Sequence, residues 1–170
     1  MTPNTSRSID IRSSNQSADD KLPALYQAEL QKARTQISAT LPPLKAAWGD
    51  WLIGFSWEWW VTTTFAVNVH PEQARKRWLR WIDVLEGHPD HSPALPIIWA
   101  RADEWQRRHV IHCHALIASV DRISIFAAAK LWQRNGGGWA HIRPYSSGRG
   151  AAYYLAKGGD IELGPHWFKA

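Results

Sequence analysis

Residues 108–119 read RHVIHCHALIAS, with His112, Cys113 and His114 at their centre. The run is apolar and β-branched enough to form a strand with at least one buried side. Successive side chains of a strand point to opposite faces, so His112 and His114 project together, about 6–7 Å apart at their Cα atoms. Cys113 turns to the other face with Ile111 and Ala115, as the apolar residue between two candidate ligands. Two imidazoles at that spacing converge on one cation, but a half-buried strand also tolerates two polar rings on its outer face. The rest of the chain has to decide between these.

The neighbouring sequence favours the cation. IIWARADEW (Ile97–Trp105) reads as a strand, HVIHCHALI (His109–Ile117) as the next, and Gln106–Arg108 as the hairpin between them. That hairpin makes Glu104 a cross-strand neighbour of His112. Two imidazoles and a carboxylate suit a divalent ion that keeps positions open for water or substrate. The plainer alternative is that Glu104 is an edge charge paired with Arg107 or Arg108. His109 falls on the opposite face from His112 and is a weaker candidate.

The remaining elements follow from periodicity and punctuation. KLPALYQAELQKARTQI (Lys21–Ile37) has helical spacing and ends before Pro42-Pro43, and a short amphipathic stretch follows from Leu44 to Leu52. The aromatic and β-branched run from Trp59 to Val67 predicts a strand. The segment Pro71–Gly87 predicts an amphipathic helix with Trp78, Ile82 and Leu85 on one face. Ile123–Asn135 predicts a second helix stopped by Gly136-Gly137-Gly138, GWAHIRPY a fourth strand, and GRGAAYYLAKGG a glycine-bracketed third helix. The order β-α-β-β-α-β-α predicts an α+β, ferredoxin-like split βαβ sandwich with a central antiparallel sheet.

A chain of 170 residues, 45% hydrophobic, is long enough to bury a sizeable core as one domain. Residues 1–20 are polar and predict a disordered leader, with a helical N-terminal extension over 21–56. No apolar run approaches the ~18 residues of a membrane span, and the N-terminus lacks a signal-peptide core. The one cysteine excludes an internal disulfide, which suits a reducing cytoplasm. The net charge of +5 favours polyanions without naming one. Arginines cluster at 75, 77 and 80, at 101, 107 and 108, and at 143 and 149; Arg101, Arg107 and Arg143 are the candidate phosphate contacts. Some of the twelve tryptophans are expected in the core and others as stacking surfaces.

In the third helix, Tyr154 and Lys157 are three residues apart and share a face, and Tyr153 is four before the lysine. A phenol with a pKa of ~10 is a poor nucleophile at neutral pH. A neighbouring cation and a metal-polarised phosphate make its attack on phosphorus feasible. Such a pair is otherwise simply packing beside a surface charge.

Taken together, TTTF (Thr62–Phe65), HCH with a glutamate eight residues before its first histidine, and YLAK resemble the three motifs of the HUH endonucleases. The order is most similar to the rolling-circle replication initiators of plasmids and single-stranded DNA phages, over about Trp59–Gly159. Relaxases carry their tyrosine before the histidine motif; here it follows. Adjacent tyrosines point about 100° apart on a helix, unlike the Tyr-x-x-x-Tyr of two-tyrosine initiators, so the chain resembles a single-tyrosine enzyme. A departure is Gly158-Gly159, where many members have an aromatic after the lysine.

The resemblance implies an HUH endonuclease domain over 57–170. It implies Mg²⁺ or Mn²⁺ held by His112, His114 and Glu104, and Tyr154 as nucleophile, aligned with the family's Tyr-x-x-Lys, with Tyr153 the alternative. It also implies Lys157 on the phosphate and a 5′-phosphotyrosyl intermediate in single-stranded DNA at a replication origin, with either recruitment of a host helicase or a stand-alone nuclease or excised domain. A single-tyrosine transposase with exchanged tyrosine helices, or a binding module of the same fold without catalysis, are the competing expectations.

Overall fold

Pro42 and Pro43 divide the N-terminal helices, because proline cannot continue a helix but fits its first turn. Helix α1 spans Ala24–Ala39 and α2 spans Pro43–Ile53, with proline in the first turn of α2. After them come β1 (Trp59–Thr63), α3 (Pro71–Glu86), β2 (Ile98–Trp105), β3 (Ile111–Ala118) and α4 (Ile125–Arg134). Then follow β4 (Ala140–Pro144), α5 (Ala151–Gly158), β5 (Glu162–Leu163) and a 3₁₀ turn over Pro165–Phe168. The structure is a computed structural model that describes residues 24–105, 110–147, 150–158 and 160–168. The expected leader over 1–20 and the hairpin tip with Arg107 lie outside the described residues.

The fold is α+β. Its strands form one antiparallel sheet in the order β4-β1-β3-β2-β5. One face carries Trp59, Val61, Trp99, Cys113, Ala115 and Ile117 and packs against α3 and α4 through Trp78, Trp81, Leu85, Ala128 and Trp132. Two of the large indoles buried here satisfy their N–H groups on carbonyls: Trp81 Nε1 donates to Ala128 O and Trp132 Nε1 to Thr64 O, each at 3.0 Å. The opposite face carries Trp60, Ile98, Ala100, Ala102 and Leu116 and packs against Leu52 of α2 and Ala152 and Leu155 of α5. Helix α2 therefore belongs to the second core.

Two strand expectations change. The first strand ends at Thr63 instead of Val67, because Thr63 is the last residue paired on both sides, with Cys113 and Ala140. Thr64 then serves as a latch: its N–H donates to Trp139 O at 2.8 Å, and its carbonyl accepts from Gly138 N–H at 2.8 Å. The fifth strand had no sequence signal, since two residues are too few for any periodicity. Among the described residues no helix is long and apolar enough to cross a membrane.

Gly138 is needed at the latch. A Cβ there would stand 2.7 Å from the Phe65 carbonyl carbon and 2.8 Å from Ala66 N, both backbone atoms that cannot swing aside. Gly138→Ala is expected to lower stability by about 1–3 kcal/mol, read as a reduced midpoint in urea unfolding with an unchanged slope.

Candidate functional site

Strand register assembles the site. Glu104 lies opposite His112 and Ala102 opposite His114, while Thr62 of β1 is the other neighbour of His114. On β4, His141 lies opposite Thr62 and Arg143 opposite Trp60, which brings both to the same face. Part of this face is roofed by α2 and α5; Glu104 and His112 lie where it remains partly open.

His114 is the most constrained side chain. It is buried, with Nε2 3.0 Å from Glu104 Oε2 and Nδ1 3.1 Å from Thr62 Oγ1. Its ring stacks on Trp60 with centroids 5.7 Å apart and planes 9° apart. A threonine hydroxyl both donates and accepts, so Thr62 can serve either tautomer and holds Nε2 toward the carboxylate in both. Burial pushes the His114 pKa below the usual imidazole value, against the opposing pull of Glu104. Burial also lowers His112, with Glu104 opposing. Both rings are thereby biased toward the neutral form that offers a lone pair to a metal.

Helix α5 adds the phenol. Tyr154 OH donates to Glu104 Oε2 at 3.3 Å, and its ring meets His114 edge-on with centroids 5.0 Å apart. Burial first, and then the glutamate, raise the Tyr154 pKa above that of a free phenol. Tyr153 goes elsewhere. Its hydroxyl donates to the Asp50 carboxylate of α2, and its ring fills the space where a Cβ on Gly49 would lie, 2.1 Å from Cδ1. Burial and then Asp50 push its pKa up to about 12. Lys157 is exposed, one turn beyond Tyr154. A Cβ on Gly158 would meet that of Glu104 at 4.0 Å, so the helix end runs close past the carboxylate.

The donor set fits a metal in part. An imidazole nitrogen of His114 and a carboxylate oxygen of Glu104, both usable as ligands, lie 3.0 Å apart in a hydrogen bond. Among the described residues, however, no three His, Cys, Asp or Glu side chains are gathered closely enough to hold an ion.

The arginine expectations divide. Arg143 shares the site face. Arg107 lies outside the described residues. Arg101 is corrected: it is buried on the opposite face, with Nε on Glu162 Oε2 at 2.9 Å and Nη2 on Asp103 Oδ2 at 3.0 Å. The reason is parity, since an odd spacing from Glu104 sends Arg101 to the other side of β2. Cys113 also faces that core, where burial pushes its thiol up to about 12. The sequence reading missed the roles of Thr62 and Trp60, although their spacing of two, on a strand beside HCH, carried the signal.

No family model matches the chain, and no curated protein or solved structure matches it.

Arg101→Ala would leave Asp103 without its guanidinium partner beside a core, while Glu162 keeps Arg75, and is expected to cost roughly 3 kcal/mol of stability. Denaturant unfolding would show this as a lowered midpoint.

Proposed function

We propose that the chain is a single-tyrosine HUH-type nuclease that nicks and rejoins single-stranded DNA to initiate rolling-circle replication. We further infer that β1-α3-β2-β3-α4-β4, with each helix-linked strand pair split by a third strand, is a ferredoxin-like sandwich. The observation that carries the reading is a single atom, Glu104 Oε2, within hydrogen-bond reach of both His114 Nε2 and the Tyr154 hydroxyl. A carboxylate, an imidazole and a phenol from separate elements meet there.

Glu104, His114 and His112 would hold Mg²⁺ or Mn²⁺. Register puts the Cβ of His112 within about 5 Å of that of Glu104, so the third donor lacks only side-chain orientation. The bound ion would supply Lewis-acid polarisation of a phosphate oxygen. Tyr154 Oη attacks phosphorus, forming the P–Oη bond as the P–O3′ bond breaks. The phenolic proton, held by Glu104 Oε2 in the resting site, leaves to solvent, and the departing 3′ oxygen takes one from solvent. Lys157, one turn along the same helix, offsets charge on the phosphate. The phosphodiester count is unchanged, so the step runs backwards to join strands.

Tyr154 reaches Glu104 within one chain, as a single-tyrosine initiator requires. The Tyr153–Asp50 bond likewise supports Tyr154 as the nucleophile.

With Mn²⁺ and a pool of single-stranded oligonucleotides, wild type is expected to form a denaturant-resistant protein–DNA adduct. Tyr154→Phe should abolish it and Tyr153→Phe should not. DNA binding with no adduct from any sequence would leave a binding module. Thr62→Val should weaken Mn²⁺ binding about 10–100-fold, measured calorimetrically on protein that melts normally.

A further inference from the structure

Beside the proposed site, β4 and Trp139 just before it carry a partly exposed ladder with no role in the chemistry above. Trp139, His141 and Arg143 alternate along the chain and so share the face of His114. The Trp139 and His141 rings stack with centroids 5.3 Å apart and planes 29° apart. Trp139 is 57% exposed, yet its backbone is held on both sides: Thr64 N–H donates to its carbonyl, and its own N–H donates to Thr64 Oγ1 at 2.9 Å. Thr64 Oγ1 also lies 3.1 Å from Trp139 O. Gly138 cannot take a side chain without meeting the Phe65–Ala66 backbone. An indole is thus displayed on a rigid edge where an apolar ring gains nothing from the core.

We propose that Trp139 and His141 form a stacking platform for unpaired bases of single-stranded DNA flanking the scissile phosphate, with Arg143 on the backbone. This rests on the nuclease reading. Three observations select this occupant. The platform lies two strand spacings from His114, through Thr62, or roughly 10 Å. It combines aromatic rings with a cation, the pairing that tracks an unpaired strand. The chain's net charge of +5 favours a polyanion. Duplex DNA keeps its bases stacked on one another and offers no free face to Trp139.

The test uses the full chain and a fluorescein-labelled, random-sequence single-stranded oligonucleotide pool, read by anisotropy. Trp139→Ala is expected to weaken binding about tenfold, with Trp139→Phe recovering most of the loss and thermal melting unchanged. At saturating DNA the Trp139→Ala adduct should match wild type in amount, and duplex affinity should not move. Wild-type affinity in Trp139→Ala, or an equal loss toward duplex, overturns the platform. If the adduct still forms and needs Tyr154, the nuclease reading survives that failure. If wild type neither binds the pool nor forms an adduct, both fall together.

Discussion

The period of two along β2 and β3 is the constraint on which the rest depends. With Glu104 paired to His112, the even-numbered residues of β2 and β3 lie on the face of α2 and α5 and the odd-numbered ones on the face of α3 and α4. A slip of one residue would turn Glu104 and both histidines into the tryptophan-rich core and put Trp99 and Ile117 in their place. Both faces are covered by helices, so neither side could absorb the exchange. The site is specified by the cores on either side of it.

The residues chosen for the site face also control how near α5 can come. Strand β2 presents Ala100 and Ala102 there, and α5 answers with Ala151, Ala152 and Ala156, all buried. Small side chains on both partners allow a close approach, which is what lets the Tyr154 hydroxyl reach Glu104. On the other side of β2 the requirement is different. Arg101, Asp103 and Glu162 form a partly buried charge network that Arg75 of α3 joins through Glu162. Glu162 thereby ties β5 and a helix to the strand that bears the site. One strand carries two polar constellations, and parity keeps them apart.

What could be read from sequence follows from this. The placement of Glu104 beside His112, with His114 on the same face, was legible because alternation and one hairpin are local rules, and the strands around them are long. Arg101 was misread because it was counted within a cluster of arginines and its parity was ignored. The end of β1 was overrun because Thr64 and Phe65 keep a strand-like composition; only the partners Gly138 and Trp139, far along the chain, determine where pairing stops. Preference for Tyr154 over Tyr153 came from family likeness alone, and the contact of Tyr153 with α2 is one that no local pattern reveals.

That contact explains why adjacent tyrosines are useful. Helix α5 has eight residues, too few to be stable or to fix its own orientation without tertiary packing. Tyr153 supplies the anchor: it lies on the small face left by Gly49 and bonds to Asp50, while Lys45 donates to the Lys157 carbonyl at 2.7 Å near the other end. Since neighbouring side chains on a helix diverge by about 100°, pinning one aims the next. With Tyr153 held by α2, Tyr154 points at Glu104 and His114 and stays partly exposed to solvent. The N-terminal helix pair, which sequence reading set apart as an extension, thus includes the element that orients the proposed nucleophile.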